Sequence, residues 1–166
     1  VRPGTAEAEK VALATPLITL YAIWQIPDGL QMTATFLGYE VQLVEGGPER
    51  RLFATVFALM GFGSLLFAFR QARWFELAPA MGYAGGAIGV SFAGDLIVMF
   101  LFWELMALFS VVVVWCGGTF GSKRAGIRYI IMHLLAGIIL KVGIEGIMIH
   151  TGSVEIRALA LDNFDT

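Results

Sequence analysis

The 166-residue chain contains one cysteine, Cys116, two histidines, and only 14% Asp, Glu, Lys and Arg. A single thiol cannot close an internal disulfide, and one cysteine with two histidines cannot build a Cys/His metal cluster. A net charge of −2 leaves no cationic excess for nucleic acid. No metal, nucleotide or nucleophile motif occurs, so neither cofactor nor metal is expected. The first apolar stretch does not read as a cleaved leader either. EAEK precedes it, and no small-residue cleavage site closes it. Because Val1 is not a start residue, the chain is expected to be an excised piece of something longer. What it has in abundance is apolar surface. It is 58% hydrophobic with a mean hydropathy of +0.78, far from the balance that solvates a soluble domain.

A bilayer core of about 30 Å takes roughly 20 apolar residues as a helix. Five segments qualify: 11–24, interrupted by Pro16, then 52–69, 77–93, 95–115 and 125–150. Between the first two lies a longer polar connection. It has turn signals at Pro27-Asp28-Gly29 and Gly46-Gly47-Pro48, and its β-branched and aromatic middle alternates in polarity. That pattern predicts a short external hairpin over 28–48. The fold class is therefore an all-α membrane protein, a multi-helix transmembrane bundle of about five spanning helices with an external hairpin. It forms a single partial transmembrane domain over 1–166.

Charge orients the bundle. With five spans, Arg2, Lys10, Arg70, Arg73, Lys123, Arg124 and Arg128 share one side with the N-terminus. The other side holds only Arg50, Arg51 and Arg157, together with eight acids. The positive-inside rule makes the first side cytoplasmic and leaves the hairpin outside. Trp74 and Trp115 then fall at the inner interface and Trp24 at the outer one. In the third segment Ala78, Gly82 and Gly86 recur every four residues, as do Gly85 and Gly89. Small residues at that spacing let helices approach closely in lipid. A phosphate-binding reading of these glycines fails, because no strand, Lys or Ser/Thr stands in register.

Ionisable groups inside the apolar runs are the candidate functional residues. A central charge costs about 2.5–3.5 kcal/mol to insert, so Glu104 and Lys141 should face protein or water. Glu104 lies nine residues from Asp95, and Lys141 nine residues from His150. Counted inward from those two ends, both sit about 13 Å deep, so a Glu104–Lys141 ion pair is geometrically possible. Lys141 and Glu145 also share one helix face at i, i+4, and His133 and Gly137 extend the stripe. One reading is a proton relay of Glu104 and Lys141, with Glu145 and His133 in weaker roles. The other is a static salt bridge or a set of interhelical hydrogen bonds.

YAGGAIGVSFAGDLIVMFLFWELMALFSVVVVWCGG, residues 83–118, resembles the proton-translocating antiporter-like subunits of complex I and of Mrp-type sodium/proton antiporters. RAGIRYIIMHLLAGIILKVGI followed by HTGSVEIRALAL resembles the next helix and loop, most of all those of the Mrp D-type subunits. PERRLFATVFALMGFGSLLFA resembles an earlier helix. The resemblance covers about residues 11–161. It implies that these helices match the second to sixth of a fourteen-helix subunit, the N-terminal part only. It also implies that Glu104 is the family's membrane carboxylate, which modulates proton transfer. The family's partner lysine lies on the seventh helix, beyond this chain, and Lys141 stands where the family has an apolar residue.

The implied function is an ion-translocating membrane subunit of a multisubunit monovalent cation/proton antiporter. Its implied partners are the lipid bilayer, other membrane subunits, protons and Na+ as the candidate exchanged ion. The implied location is the bacterial inner membrane, in a multi-pass arrangement. One alternative is the proton-pumping subunit of a complex I-type NADH:quinone oxidoreductase or a membrane-bound hydrogenase. In that case the chain is part of an enzyme complex without being an enzyme by itself. A third reading, from another class, is a truncated non-conducting scaffold.

Overall fold

The computed structural model describes residues 6–36, 39–68 and 74–156. Five helices follow in order: α1 (Ala6–Gln25), α2 (Pro48–Ala68), α3 (Trp74–Phe92), α4 (Leu96–Cys116) and α5 (Phe120–Thr151). Between α1 and α2 stands an antiparallel pair, β1 (Gln31–Phe36) and β2 (Tyr39–Glu45). This is the helical bundle with a hairpin that the apolar runs imply. Each helix packs against the next in sequence.

The helices extend past their apolar runs for local reasons. Pro48 opens α2, where its missing N–H costs nothing, and Glu49 complements the helix dipole. At α5, Thr119 and Ser122 form a reciprocal capping box, so the helix starts five residues before the apolar run. It ends at Gly152, whose φ of 72° closes the last turn in the left-handed region.

Among the described residues, α2, α4 and α5 are long and apolar enough to cross a membrane, with mean hydropathies of 1.7, 2.5 and 1.9. α1 and α3 fall short in composition. α1 carries Glu7, Glu9 and Lys10, and α3 spends much of its length on Gly and Ala. Large apolar side chains point outward on every spanning helix, among them Phe67, Leu108 and Ile139. In water this would be an unstable surface, but at membrane depth it faces lipid or further protein.

Buried packing concentrates where small residues admit large ones. A Cβ on Gly82 would come within 2.6 Å of the Phe109 ring, and one on Gly86 within 2.6 Å of Met106. Gly89 takes the Phe102 ring in the same way. The close-approach stripe of α3 is thus Gly82, Gly86 and Gly89, while Gly85 faces open space. Spacing alone suggests Gly85 with Gly89. The phase is set instead by which face meets the aromatic and Met side chains of α4.

The hairpin is bolted to one end of this bundle. Gly46 closes its base, accepting from Gly29 and donating to Leu30. Val41 of β2 is buried with Ala93 and Val98 in a small apolar cluster. Asp95, 1% exposed, caps α4 through Val98 N–H at 2.7 Å and also accepts Gln42 N–H at 2.6 Å. Arg50 bridges Glu45 and the Ala93 carbonyl, and Arg51 binds Asp28 at 2.5 Å while lying over Trp24. These polar side chains convert a floppy two-stranded ribbon into a fixed cap on α2, α3 and α4.

Candidate functional site

α4 has 21 residues, about 31 Å at 1.5 Å per residue, which matches the bilayer core. Glu104 is its ninth residue and lies near mid-depth. Its side chain is 29% exposed and turns toward α5. There Gly137 makes room for it. A Cβ at Gly137 would stand 2.5 Å from Glu104 Oε1, so only glycine allows the carboxylate to lie flat against α5.

The other carboxylate oxygen meets His133. Glu104 Oε2 and His133 Nε2 are 3.4 Å apart. The Nε2 atom is buried and makes no hydrogen bond with the described residues. Two rings hold the imidazole in place. Trp103 packs at 4.2 Å between centroids with a 35° tilt, and Tyr129 stacks at 5.9 Å and 13°. Beside the pair is a cavity of about 40 Å³ lined by Glu104, Tyr129 and His133 among apolar neighbours. That volume exceeds what one water molecule requires.

Lys141 is not level with Glu104, and the ion pair that the depth count allows between them does not form. Counting inward from His150 misplaces it, because α5 has 32 residues against the 21 of α4 and overshoots its partner at the hairpin end. The shared turn at Gly118 is the correct origin. Glu104 lies fourteen residues before it and His133 fifteen after. Lys141 is four residues beyond Gly137, about 6 Å farther along. That puts it on the hairpin side of Glu104. There it pairs with Glu145 at 3.8 Å, the two side chains being 65% and 60% exposed. Beyond Gly152 the chain turns back, and Val154 O accepts Leu96 N–H at 2.9 Å. His150 lies exposed in the last turn of α5.

Of the four residues singled out, the fold thus brings Glu104 and His133 together and sets Lys141 and Glu145 apart as an exposed pair. Arg70, Arg73 and Arg157 lie outside the described residues. The buried Asp95 and the Glu45–Arg50 pair carry no signal beyond their charge at the edge of an apolar run. A larger cavity of about 940 Å³ opens between α1, α2, α3 and the C-terminal half of α4 around Ser110, Val113 and Val114. Among the described residues its lining contains no Asp, Glu, Lys, Arg or His. Among the described residues, too, no group of His, Cys, Asp or Glu is arranged to hold a metal ion.

Comparison with known proteins agrees with the resemblance read from FWELM. Residues 93–165 match a family model described as NADH:quinone oxidoreductase/Mrp antiporter, TM. The chain is 26% identical over 147 residues to the D-type subunit of the Na(+)/H(+) antiporter of Alkalihalophilus pseudofirmus, covering 83% of this chain and 27% of that protein. It is 25% identical over 109 residues to the corresponding D-type Na(+)/H(+) antiporter subunit of Bacillus subtilis, covering 63% of this chain and 22% of that one. A chain of the membrane-bound sulfane sulfur reductase, an archaeal respiratory membrane complex, superposes with a TM-score of 0.76 at 22% identity. That match covers 90% of this chain and 25% of the other, and it shows the fold. The chain spans about a quarter of the length of these relatives. Its apolar helices and these relatives together make it an integral membrane protein.

Proposed function

We propose that this chain, an antiporter-like membrane sequence of the Mrp/complex I-like family, is the N-terminal part of an ion-translocating subunit. The parent assembly is a multisubunit monovalent cation/proton antiporter, in which this chain belongs to the Mrp D-type subunit. Protons pass by way of Glu104, Na+ is the exchanged ion, and other membrane subunits complete the path. The observation that carries this reading is the carboxylate itself. Glu104 stands near the middle of the most apolar helix, held by the Gly137 notch and left partly open to one side. A carboxylate at that depth is costly, and its retention points to a functional role.

The Mrp D type is favoured over a complex I subunit by the two antiporter relatives. Lys141, Glu145 and His150 take no part in the central step, since they lie toward the hairpin end. The chain sits in a bacterial inner membrane in a multi-pass arrangement, with the hairpin outside and the α4–α5 turn in the cytoplasm. Lys123, exposed on the first turn of α5, tests that orientation. A cysteine placed there should react with impermeant reagent from the cytoplasmic face only, and labelling from the outside inverts the topology. The function is tested with the complete subunit in its assembled complex, in vesicles, by following proton movement on addition of Na+. Exchange that is abolished by Glu104→Gln supports the reading. Exchange at the unaltered rate in that variant overturns it.

A further inference from the structure

Resting on that role for Glu104, we propose that His133 is the residue that exchanges a proton with it. A carboxylic acid and a neutral imidazole form an uncharged pair. Transfer breaks the Glu104 O–H bond and forms an N–H bond at His133 Nε2, leaving carboxylate and imidazolium. The net charge of the pair is the same before and after. No isolated charge is left at membrane depth, which is the costly state there.

Three independent features support this assignment. The first is the unmet hydrogen-bonding capacity of His133. Nε2 is buried with no hydrogen bond to the described residues, and the carboxylate facing it stands at 3.4 Å. A small rotation of either side chain brings the two atoms into bonding range. A buried polar atom without a partner destabilises by about 1–3 kcal/mol, which drives Nε2 to bond the carboxylate that faces it.

The second is the placement of both groups. The Trp103 and Tyr129 rings pack against the imidazole, and Gly137 leaves room for the carboxylate to lie against α5. The third is the adjacent half-open pocket of about 40 Å³, lined by both groups, which is large enough to admit a water molecule. Among the described residues, the titratable groups facing His133 are Glu104 from α4 and Tyr129 one turn earlier on its own helix. α4 is the element packed against α5.

This assignment makes Glu104 a two-sided group. One oxygen faces His133 inside the α4–α5 pair, and the partly open side faces whatever completes the subunit. His133 then keeps a proton at the site while that open side is reset.

The test uses the complete subunit in its complex, with rates normalised to assembled complex in the same vesicles. His133→Gln keeps a polar side chain but removes the titrating nitrogen. It should slow Na+-linked proton exchange at least about tenfold and flatten one limb of its pH profile. Gly137→Ala keeps every titratable group and displaces the Glu104 carboxylate from its present seat beside His133. It should reproduce the slowing and the altered profile. If both variants keep the wild-type rate and profile while Glu104→Gln abolishes exchange, the His133 assignment is overturned and the role of Glu104 survives. If Glu104→Gln is itself active, both fall together.

Discussion

Asp95 is the sharpest test of how this fold is held. Its carboxylate is 1% exposed and accepts two backbone N–H groups, Val98 at 2.7 Å and Gln42 at 2.6 Å. The first bond caps α4, and the second ties α4 to β2 across 53 residues of sequence. Hydrogen bonds to a charged group contribute about 1.5–3 kcal/mol each. The pair therefore sets a scale of about 3–6 kcal/mol, and desolvation of the carboxylate draws the net toward the lower end. Asp95→Ala should destabilise the protein by about 3 kcal/mol, since it strands one buried and one half-buried donor at once. Asp95→Asn retains one carbonyl oxygen for Val98 N–H but turns an NH2 group toward Gln42 N–H, and should cost about half as much. The measurement is unfolding of the purified protein in mixed micelles, followed by helicity, with protease access to the hairpin as a local readout. The hairpin should become cleavable in Asp95→Ala before the helices unfold. A loss below about 1 kcal/mol, or a hairpin that stays protected, would refute the argument that this carboxylate anchors it.

Gly89→Ala should cost about 1–3 kcal/mol in the same assay, because the new methyl drives into the Phe102 ring inside a packed helix pair, whereas Gly85→Ala should be neutral or slightly stabilising. Lys141→Met should change stability by less than about 1 kcal/mol, as expected for an exposed i, i+4 pair with Glu145, and adding Glu104→Gln should give a simple sum of the two effects. Coupling between residues 104 and 141 in that double-variant cycle would contradict the register described here. Ser122→Ala, which removes half of the capping box, should loosen the first turn of α5 at a cost of about 1 kcal/mol, read as faster amide exchange from Phe120 to Lys123.

The helices and the hairpin could be read from the chain because each rests on a local pattern: apolar runs of spanning length, and turn residues flanking an alternating stretch. Local patterns also announced Glu104, since an acid inside an apolar run is conspicuous by itself. Partnership was harder to read. Glu104 was matched to Lys141 by assuming that α4 and α5 end together at the hairpin side. The extra length of α5 breaks that assumption, and counting from Gly118 points to His133 instead. The phase of the α3 glycine stripe escaped for a related reason. Several small-residue spacings coexist there, and only the positions of Phe102, Met106 and Phe109 choose among them. The buried roles of Asp95 and Arg50 depend on partners in other elements, and nothing near them in sequence marks those partners.

The central claim is that Glu104 takes up and releases the translocated proton. Infrared difference spectroscopy on the complete subunit in its assembled complex, triggered by a pH jump or by Na+ addition, observes that event directly. A carboxylic acid C=O band should change on triggering, shift with 13C-labelled glutamate, and vanish in Glu104→Gln. His133→Gln should alter that band without removing it. A triggered spectrum that is the same in wild type and Glu104→Gln, with exchange running normally, would contradict the account.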